Sequence, residues 1–156
     1  MRVLICAIGR QKGGPEAALI TDYLTRFERT GRALGLGPAE IVELDDRKGG
    51  GMAAEADLLR AAIPRAARIM VLDERGKQPT SPQFAEMLAG WRDTDNRELA
   101  ILIGGADGLH PGLRAQADYA LSLGKMVWPH MLARVMLAEQ LYRAATILAG
   151  GPYHRS

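Results

Sequence analysis

Five short apolar runs set the limits of what this chain can fold into. They are "RVLICAIG" (2–9), "EIVELD" (40–45), "RIMVLD" (68–73), "LAILIG" (99–104) and "YALSL" (119–123). Most are continuous in apolar character rather than alternating, the pattern of strands covered on both faces. Segments with helical spacing separate them. "PEAALITDYLTRFERTGRAL" (15–34) opens with Pro and Glu and repeats Leu19, Tyr23, Leu24 and Phe27 at helical intervals. "AAEADLLRAAI" (53–63) reads as a second helix, stopped by Pro64. "SPQFAEMLAGWRD" (81–93) reads as a third, with Ser81 as N-cap, Pro82 next, and Phe84, Leu88 and Trp91 on one face. "PGLRAQA" is a short helical piece, and the longest helix runs from Pro129 to Leu148. This alternation predicts an α/β fold: a mostly parallel sheet with helices on both faces. At 156 residues, without linker, repeat or low-complexity segment, the chain is expected to be one domain, 1–156.

Composition serves mainly to exclude. The lone Cys6 sits inside an apolar run, so it is expected in the core, and neither a disulfide framework nor a multi-cysteine metal site is possible. No H-E-x-x-H or cluster of acids and histidines suggests a metal. The N-terminus does not read as a signal peptide, and no apolar run approaches the ~20 residues of a membrane span. A cytoplasmic protein without a membrane partner is therefore expected. The net charge of +2 says little about partners. From Ser122 onward, however, Lys125, Arg134, Arg143 and Arg155 face one acid, Glu139, with His130 and His154 in the same stretch. A solvated surface and a nucleic-acid contact both account for that bias.

Ligands of open parallel sheets bind beyond the carboxyl ends of the strands. Three such ends stand out: "VLDERGK" (71–77), "LIGGADGL" (102–109) and "LSLGKMVWPH" (121–130). Each passes from apolar strand to small or polar residues. None is a known nucleotide fingerprint. "IGGADGL" is not G-x-G-x-x-G, "GRQKGG" is not a P-loop, and no G-x-S-x-G elbow occurs. The missing glycine fingerprint disfavours a dinucleotide oxidoreductase. Gly104-Gly105 is open to two readings, a ligand loop or a tight turn. The loop "DDRKGGGM" (45–52) reads as a solvated turn in preference to a mobile element.

The last helix has its own oddities. Glu139, Gln140, Arg143 and Thr146 share a polar face, opposite Leu137, Ala138, Leu141, Ala145 and Leu148. Arg134 falls in the middle of the apolar face, where it must be paired, be put to use, or snorkel to water. Gly150-Gly151-Pro152 stops the helix, and Tyr153, His154 and Arg155 follow at the very end.

The segments "LDERGK", "FAEML", "LIGGADGL", "LSLGKMVWPHMLARVMLAEQLYRA" and the terminal "PYHR", in this order and at nearly full length, resemble the bacterial large-subunit (23S) rRNA pseudouridine N3-methyltransferase family, a branch of the SPOUT class. The match is dense from Leu72 onward and sparse before it. The resemblance implies a C-terminal trefoil knot, a homodimer, S-adenosyl-L-methionine as methyl donor, and the assembled ribosome as partner. It implies methylation at N3 of a pseudouridine in an rRNA stem-loop. It also implies a cofactor pocket made of Leu72, Gly105 and the stretch Leu123, Gly124, Lys125, Met126, Val127, Trp128, Pro129 and His130. Val127-Trp128 departs from the family pattern, in which Thr and a smaller apolar residue are common. Arg134, His154 and Arg155 are the expected catalytic residues, with no single general base selected. Arg134, Arg143, Tyr153, His154 and Arg155 are the expected RNA contacts. Tyr153 either stacks on the target base or packs on its own helix. A compact site on an assembled ribosome would explain why no large basic patch is needed. The alternative of another class is a dimeric RNA-binding protein of this fold without catalysis.

Overall fold

The computed structural model describes residues 1–45 and 47–155; Asp46, in the 45–52 loop, and Ser156, at the end of the tail, lie outside the described residues. The five strands are β1 (Arg2–Ile8), β2 (Ala39–Leu44), β3 (Arg68–Lys77), β4 (Glu98–Ile103) and β5 (Tyr119–Leu121). They form a single sheet of order β2-β1-β4-β3-β5 in which every pairing is parallel. The helices are α1 (Pro15–Gly31), α2 (Gly51–Ala62), α3 (Ser81–Asp93), α4 (Pro111–Gln116) and α5 (His130–Ala149).

Alternate strand residues feed two separate cores, as period-2 geometry requires. Val3, Ile5 and Ala7 of β1 and Leu99, Ile101 and Ile103 of β4 meet Phe27 of α1, Phe84 and Leu88 of α3, and Leu137 and Leu141 of α5. Leu4, Cys6 and Ile8, with Ala100 and Leu102, meet Ala56 and Leu59 of α2 and Leu113 of α4. The sheet is thus covered on both faces, which is why its strands read as unbroken apolar runs. Cys6 is fully buried, and burial pushes its thiol up to about 11.

Several boundaries differ from the sequence reading. The first helix ends at Gly31 and continues as one 3₁₀ turn, 32–34. The second starts at Gly51, so the preceding loop is shorter than 45–52. Ser81 is not the N-cap of α3. That place belongs to Thr80, whose side chain accepts from the backbone of Gln83 while the Gln83 side chain accepts from the Thr80 backbone. β3 runs to Lys77 rather than Asp73, because Leu72 and Lys77 both pair with Leu121 of β5 and the residues between them bulge out. Gly76 lies in that bulge. A Cβ there would stand 2.5 Å from the Ala120 carbonyl oxygen, so only glycine allows β3 and β5 to approach so closely. Thr146, expected on the polar face of α5, is buried, and its hydroxyl is satisfied by donating to the Arg143 carbonyl at 2.8 Å.

Candidate active site

Because all five strands run the same way, their carboxyl ends share one edge. A cleft of about 400 Å³ opens there. The bulge of β3 supplies Leu72, Asp73, Glu74 and Arg75; the loop after β4 supplies Gly104 to Leu109; the loop after β5 supplies Leu123, Gly124, Met126, Val127 and Trp128; His130 and Ala133 come from the first turn of α5. Eight of the ten expected cofactor residues therefore line one cavity: Leu72, Gly105, Leu123, Gly124, Met126, Val127, Trp128 and His130. Lys125 and Pro129 belong to the same loop but do not line it, and both are exposed.

Local chemistry fixes each wall. After β4, the Gly108 amide donates to the Gly105 carbonyl at 3.0 Å, closing a turn. A Cβ on Gly105 would come within 2.5 Å of the Glu55 carboxylate, so α2 presses on this loop from behind. After β5, the Ser122 hydroxyl accepts from the Gly124 amide and donates to the Gly124 carbonyl, each at 3.1 Å. The Trp128 indole then donates to the Leu123 carbonyl at 3.2 Å, pinning the loop across its base. Asp73, nearly buried, accepts from the Arg75 amide at 2.9 Å and pairs with Arg114 at 3.1 Å. Val127, where the sequence departs from the family pattern, is 86% exposed at the cleft mouth, with Met126 at 73%, so this stretch presents apolar surface.

The expected catalytic and RNA-binding residues do not gather at this cleft within one chain. Arg134 is 2% exposed. Its Nη1 donates to Glu43 Oε2 at 2.7 Å, and its Nη2 donates to the carbonyls of Ile8 at 3.2 Å and Gly9 at 3.0 Å. It does not snorkel to water. Within the chain it is a buried strut joining α5 to the ends of β1 and β2. At about 1.5 Å of rise per residue, Arg143 stands roughly 20 Å along α5 from His130. There Glu139 Oε1 accepts from Arg143 Nη2 at 2.6 Å, from Arg143 Nε at 2.9 Å and from the Tyr153 hydroxyl at 3.0 Å. The Arg143 guanidinium lies 4.8 Å from the centre of the Tyr153 ring, which also packs on Tyr142 at 4.6 Å. Arg143 Nη1 is 3.2 Å from His154 Nδ1. Guanidinium can only donate, so this nitrogen accepts and the imidazole proton sits on Nε2. Tyr153 thus packs on its own helix, and the tail does not return to the cofactor loop of its own chain. Burial and then the Glu139 carboxylate push the Tyr153 phenol up to about 12. Arg155 is exposed.

Sequence reasoning singled out Leu72 and Gly105 from the first two strand ends and missed their neighbours Asp73, Arg75 and Asp107. The signal was present in "LDERGK" and "LIGGADGL", but the β3 bulge that carries Asp73 and Arg75 depends on pairing with β5, and Asp107 joins them only through the loop after β4. Glu43 and Glu55 were missed outright, since nothing local in sequence ties them to α5 or to Gly105.

A parallel α/β sheet with an apolar, glycine-looped cleft at a break in strand order is the architecture of a small-cofactor enzyme. Comparison with known proteins sharpens this to a family. A family model described as predicted SPOUT methyltransferase matches residues 1–154, and the chain belongs to that family. Among similar curated proteins are those named ribosomal RNA large subunit methyltransferase H from Dinoroseobacter shibae, 70% identical over 99% of both chains, and from Roseobacter denitrificans, 69% identical over the full length of both. A solved structure described as a probable methylase family protein from Haemophilus influenzae Rd KW20 matches with a TM-score of 0.50 at 12% identity, covering 99% of this chain and 70% of that one. That likeness is one of fold.

Proposed function

We propose that this chain transfers a methyl group from S-adenosyl-L-methionine to N3 of a pseudouridine in 23S rRNA on the assembled large subunit. The observation that carries the reading is the convergence of eight expected donor-site residues on one cleft at the carboxyl edge, in a chain 70% identical over its length to a protein named for that rRNA subunit. The cleft suits the donor. Its volume lies within the usual range for small-ligand pockets, and it combines apolar walls with main-chain groups of glycine loops. Leu72, Leu123 and Trp128 would hold the adenosyl part, with Gly104-Gly105 and Gly124 presenting backbone atoms to it. When bound, the donor supplies an electrophilic methyl. The chain's task is then to hold the base nitrogen in line with it at roughly 3 Å and to stabilise the charge left when the N3 proton departs. Within one chain, His130 lines the cleft, whereas Arg134, His154 and Arg155 do not.

The reading includes a homodimer. The tail cluster of Tyr153, His154 and Arg155 lies far along α5 from its own cleft. The apolar Met126, Val127, Trp128 and Leu132 are exposed around the cleft mouth, a surface that suits a second copy. The tail of one protomer would then serve the cleft of the other. One domain over 1–156, threaded as a C-terminal trefoil knot, and residence in the cytoplasm complete the reading. Among the described residues no helix is long and apolar enough to cross a membrane.

The test is to incubate ribosomes lacking the modification with the protein and labelled donor, and to locate the label by mass spectrometry. Label at N3 of a large-subunit pseudouridine is expected. Label only at an unmodified uridine or on protein would overturn the reading. Failure to bind the donor by titration calorimetry, with ribosomes present, would favour a non-catalytic RNA-binding dimer.

A further inference from the structure

The low net charge conceals local clusters of charge at the two edges of the sheet. At the amino edge some cations are matched, while Arg65 and Arg97 are exposed with no ion pair among the described residues. Arg2 pairs with Glu40 at 3.3 Å and Glu98 at 4.0 Å, and Arg68 pairs with Asp118 at 3.5 Å. At the carboxyl edge, the loops after β1 and β2 carry Arg10, Lys12, Arg47 and Lys48, all exposed. The two loops are joined: the Gly9 amide donates to the Leu44 carbonyl at 2.9 Å, and the Gln11 amide donates to Glu43. Arg10 and Arg47 share a single carboxylate, with Nη2 atoms 4.0 and 2.6 Å from Asp45 Oδ2. Lys12 and Lys48 have no ion pair among the described residues. Other acids nearby are Glu43, already held by Arg134, Glu16, whose carboxylate lies against Gly14, and by sequence Asp46. Arg134 also ties this cluster to the cleft, since it grips Ile8, Gly9 and Glu43 from the first turns of α5, where His130 and Ala133 line the cavity.

We propose that the joined loops after β1 and β2 are a phosphate-contacting surface for the RNA substrate, with Arg10, Lys12, Arg47 and Lys48 gripping the strand whose target base enters the adjoining cleft. The proposal rests on the rRNA-methylation reading. Loops of one edge lie beside the site by topology alone, and exposed cations with few local acids are what a polyanion requires. The surface is small, as suits a substrate that also presents fixed shape. It differs from the expected RNA contacts, which were Arg134 and Arg143 of α5 and Tyr153, His154 and Arg155 of the tail.

The test uses the full chain and large subunits lacking the modification. Wild-type transfer of label to rRNA must come first; its absence would defeat the underlying reading and not this one. Given that transfer, Lys12→Ala/Lys48→Ala is expected to raise KM for subunits about 10-fold. It should lower the slope of log KM against log salt by about two. Donor affinity and melting temperature should match wild type. Arg65→Ala, an exposed cation before β3 at the opposite edge, should keep the wild-type KM. A Lys48→Cys variant carrying a photoactivatable aryl azide should crosslink to rRNA, the buried Cys6 being shielded from the label. An unchanged KM and slope in the double variant, a KM that rises with no change in slope, or crosslinks to ribosomal protein alone would each overturn the proposal.

Discussion

Arg134 shows how much one residue depends on its surroundings. An arginine in the apolar stripe of a helix is costly unless its charge and donors are answered. Here Glu43 and two strand-end carbonyls answer Nη1 and Nη2, while Nε is buried without a partner among the described residues; all three partners are distant in sequence. Arg134→Ala removes the cation and leaves Glu43 and two carbonyls without it, so a loss of about 3 kcal/mol is expected, read as a fall in denaturation midpoint. Sequence exposed the anomaly at Arg134 but not its solution, because pairing of a helix with two strand ends is a tertiary fact. The strand end at Leu72 and the glycine loop at Gly105 announce themselves locally, while their place in a donor pocket came from the family resemblance. Tyr153 gives a test by pH. Burial and Glu139 favour its neutral form, which raises its pKa in the folded protein to about 12. The tail docking it supports is therefore fully present below the ordinary phenol value near 10 and lost as pH rises toward 12. Ultraviolet titration of phenolate should find Tyr153 among the last to ionise, and a Tyr153→Phe variant should lack that late step.

At the scale of elements, α5 joins two functions that sequence could not separate. Its first turn closes the cleft, and its second half holds the tail through Glu139, Arg143 and Tyr142. Strand and helix order were readable from the alternation of patterns, but the register of β1 with β2 and β4 was not, since strands apolar on both faces do not specify it. The β3 bulge was not readable, since "DERGK" is polar and takes strand geometry only against β5. Deleting Tyr153 to Ser156 removes Tyr153 and His154, which pack on the surface of α5 and lie outside the core. The truncated chain should keep its circular dichroism and its donor affinity yet methylate ribosomes poorly. Full activity after truncation would remove the tail from the site.

For the whole molecule, strand order has a consequence for how the chain is made. β1 pairs with β2 early in the sequence, but its other edge waits for β4, with Arg2 opposite Glu98. β3 has no earlier neighbour at all: both of its partners, β4 and β5, come after it. During synthesis the first hundred residues therefore carry three waiting strand edges, one on β1 and two on β3, and no surface on which to close them, a state prone to association. Non-local pairing of this kind folds slowly for its size. A fragment of residues 1–97 should accordingly lack a cooperative unfolding transition and aggregate, whereas the full chain unfolds in one step. The arrangement that gathers the whole carboxyl edge into one site also makes the protein's birth all-or-none: nothing stable exists until the last third of the chain has emerged.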